Sequence, residues 1–180
     1  MRCFLFLLLL SALAGCSKIP HVPLEWAEHE IGVQTWMEAR PNPRIMEYIN
    51  AFTISTTSPP EEIAREDWCG FFAAWCLKKG GYLTPQNPYS MTSWCQYGKD
   101  VDIPQPGDVA VFWGHVAFYF GRNARGERIY LGGDQGHAGH PTAVCRLSFG
   151  QDEPLCYRRP VKAAMYTKLP TSSNKQFLRM

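Results

Sequence analysis

DWCGFFAAWCLKKGG, the stretch at residues 67–81, predicts a helix with a cysteine in its first turn. Asp67 is a favourable N-cap residue, because its side chain would accept a free backbone N–H at the helix start. Apolar side chains recur at the spacing of one buried helical face, at Phe72, Ala73, Cys76 and Leu77. Two lysines and two glycines then indicate where the helix stops. The stretch therefore predicts a central helix around which the rest of the domain packs.

Cys69 is the residue of chemical interest in this helix. Backbone N–H groups and the helix dipole at an N-terminus favour a thiolate, which is the nucleophilic form of cysteine. Cys76 lies two turns deeper on the same helix and lacks that environment. We therefore predict that Cys69 is a nucleophile and that Cys76 has a structural role.

The rest of the chain predicts helices first and then an antiparallel sheet, which is an α+β fold. The predicted helices cover residues 24–39, 43–52, 61–65 and 90–97, and the second of them begins with Asn42 as N-cap and Pro43 at its first position. The predicted strands cover residues 108–113, 115–120, 127–131, 142–149 and 155–159. The apolar run at 108–113 indicates a strand that is buried on both faces. Residues 132–136 are predicted to form a glycine-rich turn.

Length and charge limit the possible functions. A chain of 180 residues with 46% hydrophobic residues is long enough for one domain with a substantial core. A formal net charge of +2 argues against a nucleic-acid binder that relies on a large basic field. We predict one domain at residues 24–160, preceded by a tether at 16–23 and followed by a poorly ordered tail at 161–180, and we expect a monomer.

Residues 1–15 are predicted to be a bacterial lipoprotein signal peptide. A positive start is followed by an apolar run that is too short to span a bilayer, which requires about 20 residues. The run ends in Leu13-Ala14-Gly15-Cys16, which resembles the lipobox and implies cleavage before Cys16 and a lipid on that residue. The expected location is the periplasmic side of a bacterial membrane, the outer membrane in a Gram-negative cell. The alternative is an ordinary cleaved signal with a chance cysteine.

Export changes what the remaining cysteines predict. Five of them follow residue 16, and an odd number in an oxidising compartment indicates one free thiol. If that thiol is Cys69, we expect disulfides between Cys76 and Cys95 and between Cys145 and Cys156. The alternative is that these four cysteines are small, buried and reduced.

His115 and Asp134 are candidates for the two groups that a cysteine nucleophile needs. A base takes the proton of the thiol, and a third group orients the base. His115 begins a predicted strand directly after a glycine, and Asp134 follows the neighbouring predicted strand. In a meander these two positions lie side by side, so the carboxylate would hold the imidazole in the productive tautomer. Taken alone, each residue also has a purely structural interpretation, at a strand end and in a glycine turn.

The order of these motifs resembles the NlpC-like and CHAP (cysteine, histidine-dependent amidohydrolase/peptidase) cell-wall hydrolases. The motifs are a cysteine at a helix start, GDVAVF at 107–112, GHVAFY at 114–119 and GGDQ at 132–135. The resemblance is greatest to a small branch with Trp-Cys at the nucleophile and a Leu-Gly-Gly-Asn-Gln turn, and it covers about residues 26–160. Asp134 stands where that branch usually has asparagine.

The resemblance implies a papain-like fold and the cleavage of peptide or amide bonds in peptidoglycan stem peptides. It assigns Cys69 as nucleophile, His115 as base and then acid, and Asp134 as orienter, with no cofactor or metal.

His137 and His140, with Cys145 nearby, are an incomplete zinc pattern that we interpret as a polar loop. The alternative function is a catalytically inactive envelope lipoprotein that binds wall peptides. A secreted hydrolase used against rival cells would share the chemistry, but the predicted anchor would retain this protein at its own membrane.

Overall fold

The computed structural model describes residues 22–36, 40–53, 56, 58–136 and 141–166. Their helices are α1 (Val22–His29), α2 (Pro43–Asn50), α3 (Pro60–Glu66), α4 (Cys69–Lys79), α5 (Met91–Cys95) and α6 (Ala163–Tyr166). Their strands are β1 (Lys99–Asp100), β2 (Val109–Phe112), β3 (His115–Arg122), β4 (Arg128–Gln135), β5 (Ala143–Leu147) and β6 (Cys156–Arg159). The predicted α+β class is confirmed.

The strands form one antiparallel sheet in the order β1-β6-β2-β3-β4-β5. β2, β3, β4 and β5 follow one another as the predicted meander, and β6 returns to pair with the free edge of β2. All four residues of β2 are buried, so the prediction of a strand covered on both faces is confirmed. Val109 and Val111 join the main core with the helices, whereas Ala110 and Phe112 join a second cluster on the opposite face.

Helix α4 lies at the centre of the main core. Every residue from Cys69 to Leu77 is buried, so the helix is covered on all sides and not only on the one predicted face. It packs against α1 and α2 on one side and against β3 and β4 on the other. Its position sets where Cys69 stands relative to the sheet.

Helix α2 begins as its sequence predicts. The Asn42 side chain accepts the backbone N–H of Arg44 at 2.8 Å, and Pro43 occupies the first turn. Arg44 then pairs with the buried Glu30, which also accepts the hydroxyl of Tyr48 at 2.6 Å. This pairing lowers the pKa of Glu30 against the opposing effect of burial, because Arg44 and Tyr48 both donate to the carboxylate. The carboxylate ties α2 to the end of α1.

The first helix differs from its prediction at both ends. It begins at Val22, inside the predicted tether, and it ends at His29, ten residues before the predicted end at 39. Gly32 adopts a φ of +96°, and the following residues extend beside β5. The N–H of Thr35 donates to the carbonyl of Thr142 at 2.8 Å, which is a backbone bond that a continued helix would exclude. Pairing with a strand far along the chain therefore ends the helix.

The predicted tail is partly structured. The carbonyl of Val161 accepts the N–H of Leu83 at 2.9 Å, and Lys162 forms an isolated antiparallel β-bridge with Tyr82. A turn of helix, α6, follows. Residues 161–166 thus extend the fold by packing on the loop after α4. The predicted signal peptide and Cys16 lie outside the described residues. Among the described helices, none has the length and apolar character needed to cross a membrane.

Candidate active site

The start of α4 is built differently from its prediction. Asp67 does not cap α4, because it terminates α3: its N–H donates to the carbonyl of Ile63 at 3.0 Å. Trp68 occupies the N-cap position and makes no side-chain capping bond. The backbone N–H of Trp68 instead interacts with the carboxylate of Asp134 on β4. The acceptor at this helix start therefore comes from the sheet.

Cys69 lies in the first turn of α4, as predicted, but its thiol is not activated by that position. Burial, together with the negative charge of Asp134, raises the pKa of the thiol to about 12. Backbone N–H groups of Val116 and Gly70 act in the opposite direction, with a smaller effect. The prediction of a resting thiolate is therefore wrong, because desolvation outweighs the helix N-terminus.

Cys69 and His115 both line a cleft of about 280 Å³. The N–H of Val116, the next residue on β3, interacts with the sulfur of Cys69. The imidazole itself packs against the rings of Phe112 and Phe149, with ring centroids 6.4 and 5.4 Å away, beside the second cluster of the sheet. Burial lowers the pKa of His115. A neutral imidazole is the form that accepts a proton, so His115 suits the predicted role of base.

The group that orients His115 is Gln135, which is not among the predicted site residues. His115 Nε2 lies 3.2 Å from Gln135 Oε1. The amide of Gln135 has a defined orientation, because its Nε2 donates to the backbone carbonyl of Cys145 at 2.6 Å. Its oxygen therefore faces the imidazole, and the imidazole must donate from Nε2. This arrangement leaves Nδ1 of His115 as the unprotonated nitrogen, which can accept a proton.

The prediction that Asp134 orients His115 is wrong by one residue. Phe118 pairs with Leu131, and continuing this register for three residues would place His115 opposite Asp134. However, Asp134 adopts a φ of +58° and the pairing of β4 with β5 shifts register at this point. The left-handed residue breaks the alternation of side chains along the strand. Asp134 then accepts the hydroxyl of Thr142 at 2.6 Å, and Gln135 reaches the imidazole.

The two glycines before Asp134 provide space for this arrangement. Both lie within β4, so the prediction of a turn at these positions is wrong. A Cβ on Gly132 would lie 2.7 Å from Oε1 of Gln135, and a Cβ on Gly133 would lie 2.4 Å from the Trp68 ring. Both distances are shorter than real Cβ contacts. The glycine pair in the sequence indicates that other groups approach the backbone of this strand closely. It is the one sequence feature that could have identified the neighbouring amide of Gln135 as a site residue.

The cysteines do not form the predicted disulfides. All five described cysteines are free, and Cys76 is fully buried in the core. The pair that the fold brings together is Cys95 of α5 and Cys156 of β6, whose sulfurs are 3.3 Å apart. Cys145 lies near Gln135 instead. The predicted connectivity failed because it joined cysteines by order along the chain, whereas β6 returns to the opposite edge of the meander.

His137 and His140 lie outside the described residues. The described part of the chain contains no group of three or more His, Cys, Asp or Glu side chains that could hold a metal ion.

Comparison of the chain with protein-family models, with curated proteins and with solved structures gave no match.

Proposed function

We propose that this protein is a cysteine hydrolase with a papain-like arrangement, which cleaves peptide or amide bonds in peptidoglycan at the cell envelope. The observation that supports the chemistry is that Cys69 and His115 line one cleft while Gln135 bonds the imidazole. The bond between His115 Nε2 and the Gln135 amide oxygen leaves Nδ1 free to accept a proton. The choice of peptidoglycan follows from the family resemblance and from the predicted lipoprotein signal.

In the proposed mechanism the resting pair is neutral. The pKa of Cys69 is raised and that of His115 is lowered, so the proton remains on sulfur until a substrate enters. His115 Nδ1 then takes the proton as the sulfur attacks the carbonyl carbon, and it returns the proton to the leaving amine. A water molecule, deprotonated by the same nitrogen, hydrolyses the thioester and restores the thiol.

The cleft favours a substrate with limited negative charge near the scissile bond. Its described lining includes the carboxylate of Asp67, the phenol of Tyr89 and the side chain of Met91, and it includes no Lys or Arg. The N–H groups at the start of α4 are the donors nearest to a developing oxyanion, with the backbone N–H of Cys69 among them. A peptide carbonyl presented over the start of α4 would meet both the nucleophile and these donors.

The deciding experiment measures the muropeptides released from purified sacculi. Wild type should release new products, Cys69→Ala should release none, and Cys76→Ala should keep its activity. Cys76 is a matched control because it is a buried cysteine on the same helix. Equal product release by wild type and Cys69→Ala would contradict the proposed mechanism.

A second candidate function, a catalytically inactive protein that binds wall peptides, is favoured by the buried, neutral thiol of Cys69. This candidate predicts that wild type and Cys69→Ala bind sacculi equally and that neither releases products. Sedimentation with sacculi, followed by analysis of the supernatant for muropeptides, separates the two functions.

A further inference from the structure

A ring of polar contacts, three of them hydrogen bonds between side chains, joins the start of α4 to the sheet. The indole N–H of Trp68 donates to Oγ1 of Thr35 at 3.1 Å, and Oγ1 of Thr35 lies 2.9 Å from Oγ1 of Thr142. The hydroxyl of Thr142 donates to Oδ1 of Asp134 at 2.6 Å. The carboxylate of Asp134 also interacts with the backbone N–H of Trp68, so the ring returns to the residue where it began.

Every donor in this ring has a defined direction. Because Thr142 gives its hydroxyl proton to the carboxylate, Thr35 must donate to the oxygen of Thr142, and the oxygen of Thr35 accepts from the indole. Asp134 is the final acceptor both for the Thr142 hydroxyl and for the backbone N–H of Trp68. A hydrogen-bond network that is satisfied at each member holds its groups in one arrangement.

The backbone of Asp134 is specialised for this role. Its φ of +58° is a left-handed conformation that Asp and Asn tolerate better than other residues with a side chain. A regular strand would direct this side chain toward His115. The left-handed conformation directs it to Trp68 and Thr142, and it leaves the imidazole to Gln135.

We propose that Asp134 is a positioning residue for Cys69, a role that rests on the proposed function. Its carboxylate holds the N–H of Trp68 and so sets the place of the first turn of α4. The next residue, Gln135, holds the imidazole of His115. Two adjacent residues of β4 thus position both reacting groups. Asp134 acts on Cys69 by holding the start of α4, and Gln135 holds the imidazole of His115.

The charge of Asp134 adds a pH dependence to this role. The pKa of Asp134 is raised to about 6, chiefly by burial and in part by the nearby carboxylates of Asp67 and Glu66, while the contacts from Thr142 and Trp68 act in the opposite direction. Those carboxylates and the thiol of Cys69 are the titratable groups that interact with it in the described chain. Above pH 6 the ionised carboxylate disfavours the Cys69 thiolate, whereas below pH 6 its protonation removes that opposing charge.

Two substitutions separate the hydrogen bonds from the charge. Asp134→Asn keeps an acceptor and the left-handed backbone but carries no charge. Asp134→Gly keeps the backbone conformation and removes both acceptors. Thr142→Val, which removes one donor and leaves the helix bond, is a milder variant if Asp134→Gly does not fold.

The primary measurement is hydrogen exchange of the Trp68 backbone amide. We expect Asp134→Gly to accelerate this exchange roughly five- to tenfold, the effect of losing one hydrogen bond, while Asp134→Asn stays within about twofold of wild type. Thr142→Val should fall between them. The proposal would be overturned if the Trp68 amide of Asp134→Gly exchanged at the wild-type rate. It would also be overturned if Asp134→Gly and Asp134→Asn accelerated the exchange equally.

The second measurement is the alkylation rate of Cys69 by iodoacetamide, followed by peptide mapping. Asp134→Asn should react severalfold faster than wild type at pH 8, and the ratio should approach one below pH 6. A ratio that does not change with pH would overturn the electrostatic part of the role. Both measurements need no substrate, so a wild type that releases no muropeptides would refute the hydrolase proposal alone.

Discussion

Replacing Gln135 with leucine tests the most specific feature of the candidate site. Leucine has a similar size but neither accepts from His115 nor donates to the carbonyl of Cys145, which Gln135 contacts at 3.2 and 2.6 Å. Gln135 is only 3% exposed, so water does not readily replace these bonds. Each buried group left unpaired costs about 1–3 kcal/mol. The expected loss of unfolding free energy is therefore about 2–6 kcal/mol.

The same change should slow catalysis. Without Gln135 the imidazole is free to rotate and to adopt the other tautomer, in which Nδ1 carries the proton. If the transition state loses the same 1–3 kcal/mol for the unpaired Nε2–H, the rate falls by about 5- to 150-fold. The pKa of His115 should also fall further, because the bond to Gln135 favours the charged ring.

The assay combines muropeptide release from sacculi, thermal unfolding and NMR titration of the histidine ring protons. Gln151→Leu is a control, since Gln151 is exposed and the substitution is the same. Gln135→Glu should raise the pKa of His115, because a carboxylate stabilises the imidazolium. If Gln135→Leu folds, keeps its rate within about twofold of wild type and leaves the His115 titration unchanged, the assignment of Gln135 as orienter is refuted.

Three further predictions concern the surroundings of the site. Gly133→Ala should lower the free energy of unfolding by about 1–3 kcal/mol in urea denaturation, because its Cβ would lie 2.4 Å from the Trp68 ring; an unchanged value would contradict that close approach. Incubation with a small-molecule disulfide should join Cys95 to Cys156, whose sulfurs are 3.3 Å apart, with loss of two hydrogens in the intact mass; peptide mapping to any other pair would contradict this. Alkylation of Cys69 should keep accelerating from pH 7 to pH 10, since its thiol pKa is raised to about 12, and a plateau below pH 8 would show an ionised thiol instead.

Local signals in the sequence were sufficient for much of the fold. The N-cap and proline of α2 act within one turn, and the apolar run of β2 is buried on both faces as its composition indicates. The helix that carries Cys69 also lies where its pattern predicts. These features depend on neighbours a few residues apart, so a single sequence contains their cause.

The errors arose where distant segments compete for the same groups. Helix α1 stops early because Thr35 pairs with Thr142, more than a hundred residues away. Cys69 loses the benefit of its helix N-terminus because the surrounding core removes water from the thiol. Neither effect has a local signature, since both depend on what the fold places nearby.

Sequence alone therefore determined the α+β class and selected Cys69, His115 and the Gly-Gly-Asp-Gln motif as the candidate site. Tertiary structure decided the roles within that motif. A left-handed residue in β4 reverses the direction of the side chains, so that Asp134 holds the start of α4 and Gln135 meets the imidazole. That choice depends on the packing of a strand against a helix, which no pattern of neighbouring residues contains.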